Sequence, residues 1–310
     1  MSDEGVTRST TDSTKRHTVS WRRRDWLVGY AFVAPTVLGS VILVLVPLCA
    51  VIWFSLNDWN VLASTFKFVG LDNYTKLAAD PLFHSSIRAS LVFSAGLVTF
   101  NVTLALGLAV LLNQKLPGTT AFRTFFFSPV VVSLVAWSVV WGFMLQLDGG
   151  INGFLAMLGI DGPNWLRNGP TAMIAVIVVQ VFKNVGLNMI LFLAALQGVP
   201  QELYEAAQID RAGPWRQFRS ITVPMISPTL LLVTIITVIG SLEVFAQISV
   251  LTKGGPGTAT NVLVYFLYQQ GFQYHKFGYA SAIGVVLFVI VLLLTLLQWQ
   301  SRKKWVHDEV

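Results

Sequence analysis

Long apolar runs decide what this chain can become. Between Asp25 and Asp58 there is no acidic or basic residue, only "WLVGYAFVAPTVLGSVILVLVPLCAVIWFSLN". A helix of about 20 such residues crosses the roughly 30 Å hydrocarbon layer of a bilayer. Without water to bond the backbone, a run of this kind has to be helical. Five further stretches qualify, at about 87–112, 123–146, 171–196, 223–250 and 279–299, after a first span at about 27–54. The expected fold is therefore an all-α integral membrane protein with six transmembrane helices. The first run is longer than the core of a secretory signal and lacks a clear small-residue cleavage site, so it reads as a retained span. Pro35, Pro47 and Pro129 do not argue against these spans, because neighbouring helices can satisfy freed carbonyls. Charged residues make up only 12% of the 310, about half the usual share of a soluble domain.

The basic residues orient the spans. Of 21 Lys and Arg, fourteen fall in the N-terminal segment, the loop between spans two and three, the segment between spans four and five, and the C-terminal end. Six fall on the opposite side, and Lys183 lies within span four. This bias places both termini and the loop between spans four and five in the cytoplasm of a bacterial or archaeal cell, with the chain multi-pass in its cytoplasmic membrane. The same clustering at span ends explains the net charge of +6 without nucleic acid. Residues 1–25, polar and ending in "WRRRD", read as a disordered cytoplasmic tail, 26–300 as the permeating domain, and 301–310 as a second cytoplasmic tail. The single cysteine, Cys49, sits in an apolar run and forms no internal disulfide.

One passage is out of keeping with the rest. "EAAQIDRAGPWRQFRSITVP", residues 205–224, packs five charges into fifteen positions amid nearly uncharged sequence. Pro200 opens a helix of about three turns, "QELYEAAQIDRA". Gly213 breaks it, Pro214 starts a second short helix, and Pro224 leads into span five. Leu203, Ala206, Ala207 and Asp210 recur at three- and four-residue intervals, giving a small-residue face flanked by acids. A shallow face of this kind suits a gripping partner, and it suits equally an interfacial hairpin that only joins two spans.

The passage resembles the EAA loop of binding-protein-dependent ABC importer permeases. That pattern runs Glu-Ala-Ala, then Asp-Gly-Ala, and ends Ile-x-Leu-Pro. Glu205, Ala206, Ala207, Asp210, Ala212, Ile221 and Pro224 stand in the matching places. Arg211 stands where the family has glycine and Val223 where it has leucine, so the bend would fall to Gly213. "FVGLDNY" at 68–74, "VFKNVGLNMILFLAALQGVPQELYEAAQID" and "LTKGGPGTATNVLVYFLYQQGF" at 251–272 are similar to segments of the sugar and glycerol-3-phosphate branch. The resemblance implies a type I importer permease fold, with the loop at 199–224 as a coupling-helix hairpin. It further implies that Glu205 makes polar contacts with an ATP-hydrolysing dimer while Ala206, Ala207 and Ala212 pack against it, with Asp210, Arg211 and Gly213 in the same coupling segment. A second, homologous permease, an extracytoplasmic solute-binding protein and membrane lipid complete the implied partners. ATP and Mg would sit on the partner, and this chain would hold no cofactor.

Ionisable groups within a bilayer are costly, and each needs a reason. Gln180, Lys183, Asn184 and Asn188 form a polar stripe on span four; Ser241, Glu243 and Gln247 lie on span five. Lys183, Asn184, Asn188, Glu243 and Gln247 read as a substrate pathway, because amides, a carboxylate and an ammonium offer hydroxylated solutes both donors and acceptors. Alternatively Lys183 and Glu243 pair between helices, or Lys183 snorkels outward. Trp137 and Trp141, one turn apart, read as packing rather than a sugar platform. "LTKGGPG" reads as an external loop or re-entrant segment.

No G-x-x-x-x-G-K-S/T, H-E-x-x-H or G-x-S-x-G occurs, and the four histidines are scattered without ligand spacing. The expected chain is thus a transport subunit and no enzyme, importing sugars, glycerol-3-phosphate or similar polar solutes. An ion-coupled carrier is the competing class. It predicts internal two-half symmetry, which six spans here do not display, and gives no reason for a coupling hairpin.

Overall fold

A computed structural model describes residues 18–114 and 117–305. Residues 1–17 and 306–310 of the two expected tails lie outside the described residues. The chain divides into two compact units, Met1–Trp53 and Phe54–Val310. Within the first, α1 (Thr18–Ser40) continues through a π turn at Val41–Leu45 into α2 (Val46–Ser55). One expectation changes here: the helix starts nine residues before the expected 27, since helical hydrogen bonding extends past the apolar edge. A single long helix satisfies its own backbone and forms a unit by itself.

The second unit opens with an antiparallel β-hairpin, β1 (Asn57–Asn60) and β2 (Thr65–Phe68), which the all-helical reading did not anticipate. Asn73, on the short helix α3 (Asp72–Ala79), donates to the carbonyls of Ser55 and Asn57 and fixes the hairpin's root. Next comes α4 (Pro81–Leu112), with Pro81 in its first turn and the Asp80 carboxylate accepting from the Leu82 N–H at 2.8 Å. It begins six residues before the expected 87 because this cap extends it.

Span three departs from the expected single helix. The chain forms α5 (Thr119–Val131) and α6 (Leu134–Met144), bent by 105°. Pro129 has no N–H for the Phe125 carbonyl, which accepts instead from the Ser128 hydroxyl at 3.0 Å. At the break, Val132 turns extended and Ser133 caps α6. The carbonyls of Pro129, Val130 and Val132 all accept from the Lys183 ammonium, the last two at 3.3 and 2.5 Å. Lys183 lies midway along α8 (Gly169–Gln197), reached through α7 (Gly150–Met157).

After α8 the hairpin comprises α9 (Gln201–Ile209) and α10 (Pro214–Gln217), then a π segment at Phe218–Thr222 and α11 (Val223–Met225). Span five, expected as one helix over 223–250, is also broken. A 71° bend at Ile226 precedes α12 (Ser227–Leu242), where Pro224 and Pro228 leave N–H positions empty. A second interruption at Glu243–Phe245 precedes α13 (Ala246–Leu251); it lets Val244 and Ile248 enter the core while Glu243 stays exposed. α14 (Leu263–Tyr268) and α15 (Phe277–Trp305) complete the chain. Among the described residues, four helices are long and apolar enough to span a membrane unbroken, and the two bent pairs make six.

The core follows α4 and α8, which run side by side in the same direction. Near their starts, Phe93 and Leu97 pack with Val176, Val179 and Ile248. Near their ends, Ala105, Ala109 and Leu112 pack with Met189, Phe192 and Leu196. Small residues permit close approach, as expected where lipid gives no hydrophobic drive for helix association. At Gly186 a Cβ would meet the Phe126 carbonyl oxygen at 1.9 Å, so α5 crosses α8 backbone against backbone.

The break in span three has a direct test. Lys183→Met keeps the stem and removes the ammonium donor shared by three carbonyls, leaving that of Pro129 with the Val132 N–H at 3.2 Å. We expect a loss of about 1–3 kcal/mol for buried acceptors left unpaired, read as a lower melting temperature of the full-length protein in detergent. An unchanged melting temperature would show that the carbonyls do not depend on the ammonium.

Candidate functional site

The polar hairpin is built by its own backbone. Pro200 stands at the N-cap of α9 in an extended conformation. At the other end, Arg211 adopts φ +53°, its N–H donates to the Gln208 carbonyl at 3.0 Å, and the Ala212 N–H donates to the Ala207 carbonyl at 2.8 Å. This pair of bonds is the Schellman ending of a helix, with Arg211 in the left-handed position that glycine ordinarily fills. The bend therefore lies at Arg211. Gly213, which the sequence suggested for it, is extended at φ −66° and ψ 164° and simply starts α10. The Gln217 amide donates to the Ala212 carbonyl at 2.8 Å, and Tyr204 and Thr222 share a hydrogen bond of 3.0 Å that fastens α9 to the π segment.

These fastenings leave a defined outer face. Glu205, Ala206, Asp210 and Arg211 are exposed, while Ala207 and Ala212 are half-buried. Two apolar residues that the sequence reading passed over join them: Ile209 is 83% exposed, and Trp215 is 72% exposed with its ring stacked on Phe218. Their signal in the sequence is their position, since each is a large apolar side chain next to a charge in a segment with no other reason to expose one. The hairpin lies at the end of the unit where α4 and α8 finish.

The span-four stripe is more dispersed than expected. Asn188 is buried and donates to Asn101 Oδ1 on α4 and to Thr237 Oγ1 on α12, the latter at 3.2 Å. Ser94 and Ser241 share a 2.5 Å hydrogen bond between the same two helices. Asn101, Thr237 and Ser94 were not singled out from sequence; each is one polar residue in an apolar helix and becomes meaningful only when helices meet. Lys183 caps the α5–α6 break and lies 6.0 Å from the Trp137 ring centre. Among the described residues it forms no ion pair with Glu243, which stands exposed at the C-cap of α12. Asn184 is half-buried. Gln247 is fully buried with neither amide atom bonded to protein, and Gln180 Oε1 is likewise unpartnered. Trp137 and Trp141 pack with Phe182, and the Trp137 N–H donates to the Val179 carbonyl at 3.1 Å, in keeping with a packing role. The "LTKGGPG" segment forms a tight loop. Gly254, at φ +80°, lies where a Cβ would come within 2.9 Å of the Tyr265 ring.

With this geometry, the comparisons with known proteins are specific. The family model described as binding-protein-dependent transport system inner membrane component matches residues 101–305, the hairpin included. The chain belongs to this family. The lactose transport system permease protein LacF of Rhizobium radiobacter is 34% identical over 282 residues, 89% of this chain and 94% of that protein. The arabinooligosaccharides transport system permease protein AraP of Bacillus subtilis is 34% identical over 275 residues, 86% of each chain. Among solved structures, a chain of a bacterial alginate ABC transporter, crystallised with an alginate pentasaccharide-bound periplasmic protein, superposes with a TM-score of 0.81 at 25% identity. The match covers 94% of this chain and 99% of that one. The family and fold suggested by the Glu-Ala-Ala passage are those of the chain. In this inner membrane component, the departure at Arg211 leaves the hairpin's turn in place.

A non-glycine residue at positive φ carries a cost. Arg211→Gly should stabilise the hairpin by about 1 kcal/mol, detected as slower amide exchange over residues 201–212. Unchanged or faster exchange would contradict the strain assigned to Arg211.

Proposed function

We propose that this chain is one of two non-identical permease subunits of an ATP-driven type I importer for sugars or sugar-like polar solutes. An extracytoplasmic binding protein delivers the solute. A cytoplasmic ATPase dimer, which holds ATP and Mg, closes and pushes on the hairpin at 199–224. The observation that carries this reading is the exposed hairpin itself: Glu205, Ala206, Asp210 and Arg211 form an outward face with Ile209 and Trp215, on a chain with no phosphate-binding loop of its own. The names of the lactose and arabinooligosaccharide relatives support the solute class. The charge bias of the loops supports both termini and the hairpin on the cytoplasmic side.

In this scheme Glu205, Asp210 and Arg211 make the polar contacts to the ATPase, and Ala206, Ala207, Ala212 and Gly213 let its backbone come near. The two access states of the spans lie close enough in free energy for ATP binding to shift their populations. For the solute, Asn184 and Glu243 have surface with which to meet hydroxyl groups. Asn188 and Lys183 act behind them by holding α4, α8, α12 and the α5–α6 break in place. Gln247, with its unpaired amide, becomes available where α13 parts from its neighbours.

The test uses the assembled importer in proteoliposomes. Glu205→Lys should lower sugar uptake about tenfold, equivalent to losing about 1.4 kcal/mol of coupling, while ATP hydrolysis persists. In the same assay Asn184→Leu should lower uptake without releasing the ATPase from the complex. Uptake at the parental rate in the Glu205 variant would rule out a coupling role for this hairpin.

A further inference from the structure

Two adjoining cavities run along one face of α4 and α8, and both are lined by Ile174 and Ile177. The first, about 560 Å³, lies near the starts of the two helices; its polar residues are Arg88, Ser85 and Thr258, beside Gly169 and Pro170 at the opening of α8. The second, about 810 Å³, continues toward mid-helix and is apolar, lined by Phe100, Leu104, Trp141, Val178, Val181 and Phe182. Ile177 and Val181 are buried and form its floor; Phe100, Leu104 and Val178 are about half exposed and form its walls. Its one hydroxyl, Thr103, is already committed to the Thr99 carbonyl at 2.5 Å.

We propose that this groove binds one anionic phospholipid, with the phosphate at Arg88 and an acyl chain in the apolar trough. Three observations favour lipid. Arg88 is exposed and forms no ion pair among the described residues. Its planar fork suits phosphate, and the start of the 29-residue helix α8 adds partial positive charge beside it. Second, the polarity order is that of a lipid: basic and hydroxyl groups lead directly into a trough that is almost wholly apolar. Third, the length fits one leaflet. From Arg88 to Leu104 the helix rises about 24 Å, against about 15 Å of hydrocarbon plus some 5–7 Å of headgroup layer in half a bilayer. A helix of a neighbouring subunit would instead need a groove running the whole thickness.

The experiment is native mass spectrometry of the full-length protein, offered equal amounts of phosphatidylglycerol and phosphatidylethanolamine. The wild type should retain phosphatidylglycerol preferentially. Arg88→Gln should reduce that preference about fivefold, and Val178→Trp, which fills the trough, should remove both lipids, each variant keeping the parental melting temperature. Soluble glycerol phosphate should not displace the lipid, since it has nothing to place in the trough. Equal retention of the two lipids by the wild type, an unchanged preference in Arg88→Gln, or displacement by glycerol phosphate would overturn the proposal. So would efficient crosslinking of Val178→Cys to another protein subunit in native membranes, because the face would then be a protein interface.

Discussion

Within hydrocarbon, a backbone carbonyl without a donor has nothing to turn to, and the α5–α6 break is where this chain meets that constraint. Pro129 interrupts the hydrogen-bond ladder and the chain turns through 105°. Left alone, this would strand several acceptors at a cost of a few kcal/mol. Lys183 answers with three donors to the carbonyls of Pro129, Val130 and Val132. The costly buried charge and the costly broken helix thus stabilise each other. Nearby α5 crosses α8, and Gly186 must be small because the two backbones touch there. Through α8 the same arrangement reaches Asn188, which ties α4 and α12 together, and then the hairpin that follows Gln197.

Much of this is legible in the amino-acid sequence. Apolar length located all six spans, and the bounds of α8, expected at 171–196, fall at Gly169–Gln197. The Glu-Ala-Ala passage named the family and the placing of two short helices about a bend. What was not legible has a common cause: it depends on side chains far apart in sequence. Hydropathy counts Pro129 as one more apolar residue in span three, and only the position of Lys183, 54 residues later, turns it into a stable break. The tie that Asn188 makes was hidden because its partners Asn101 and Thr237 lie on other helices. The turn at Arg211 was assigned to Gly213 because glycine is the usual left-handed residue, yet the backbone bonds from Arg211 and Ala212 close the helix without it. The β-hairpin at 57–68 was hidden by its shortness, its two strands being four residues each.

The Tyr204–Thr222 and Gln217–Ala212 bonds fasten the parts of the hairpin to one another. In the proposed scheme, force on its outer face would pass to α8 on one side and, through α11, to α12 on the other. Those are the two helices that Asn188 joins. The bend at Ile226 and the interruption at Glu243–Phe245 bound α12 at its two ends. Interruptions of this kind in a spanning segment are tolerated where the surrounding protein satisfies the backbone.

The central claim is that the outer face of this hairpin sits against the ATP-hydrolysing subunit. Disulfide crosslinking measures this directly, with Ala206→Cys in this chain and single cysteines placed along the surface of the ATPase in the assembled importer. The account predicts a bond to one confined groove of the ATPase, with a yield that changes when ATP is added. A hairpin cysteine that crosslinks to no position on the ATPase, in an importer still able to transport, would contradict it.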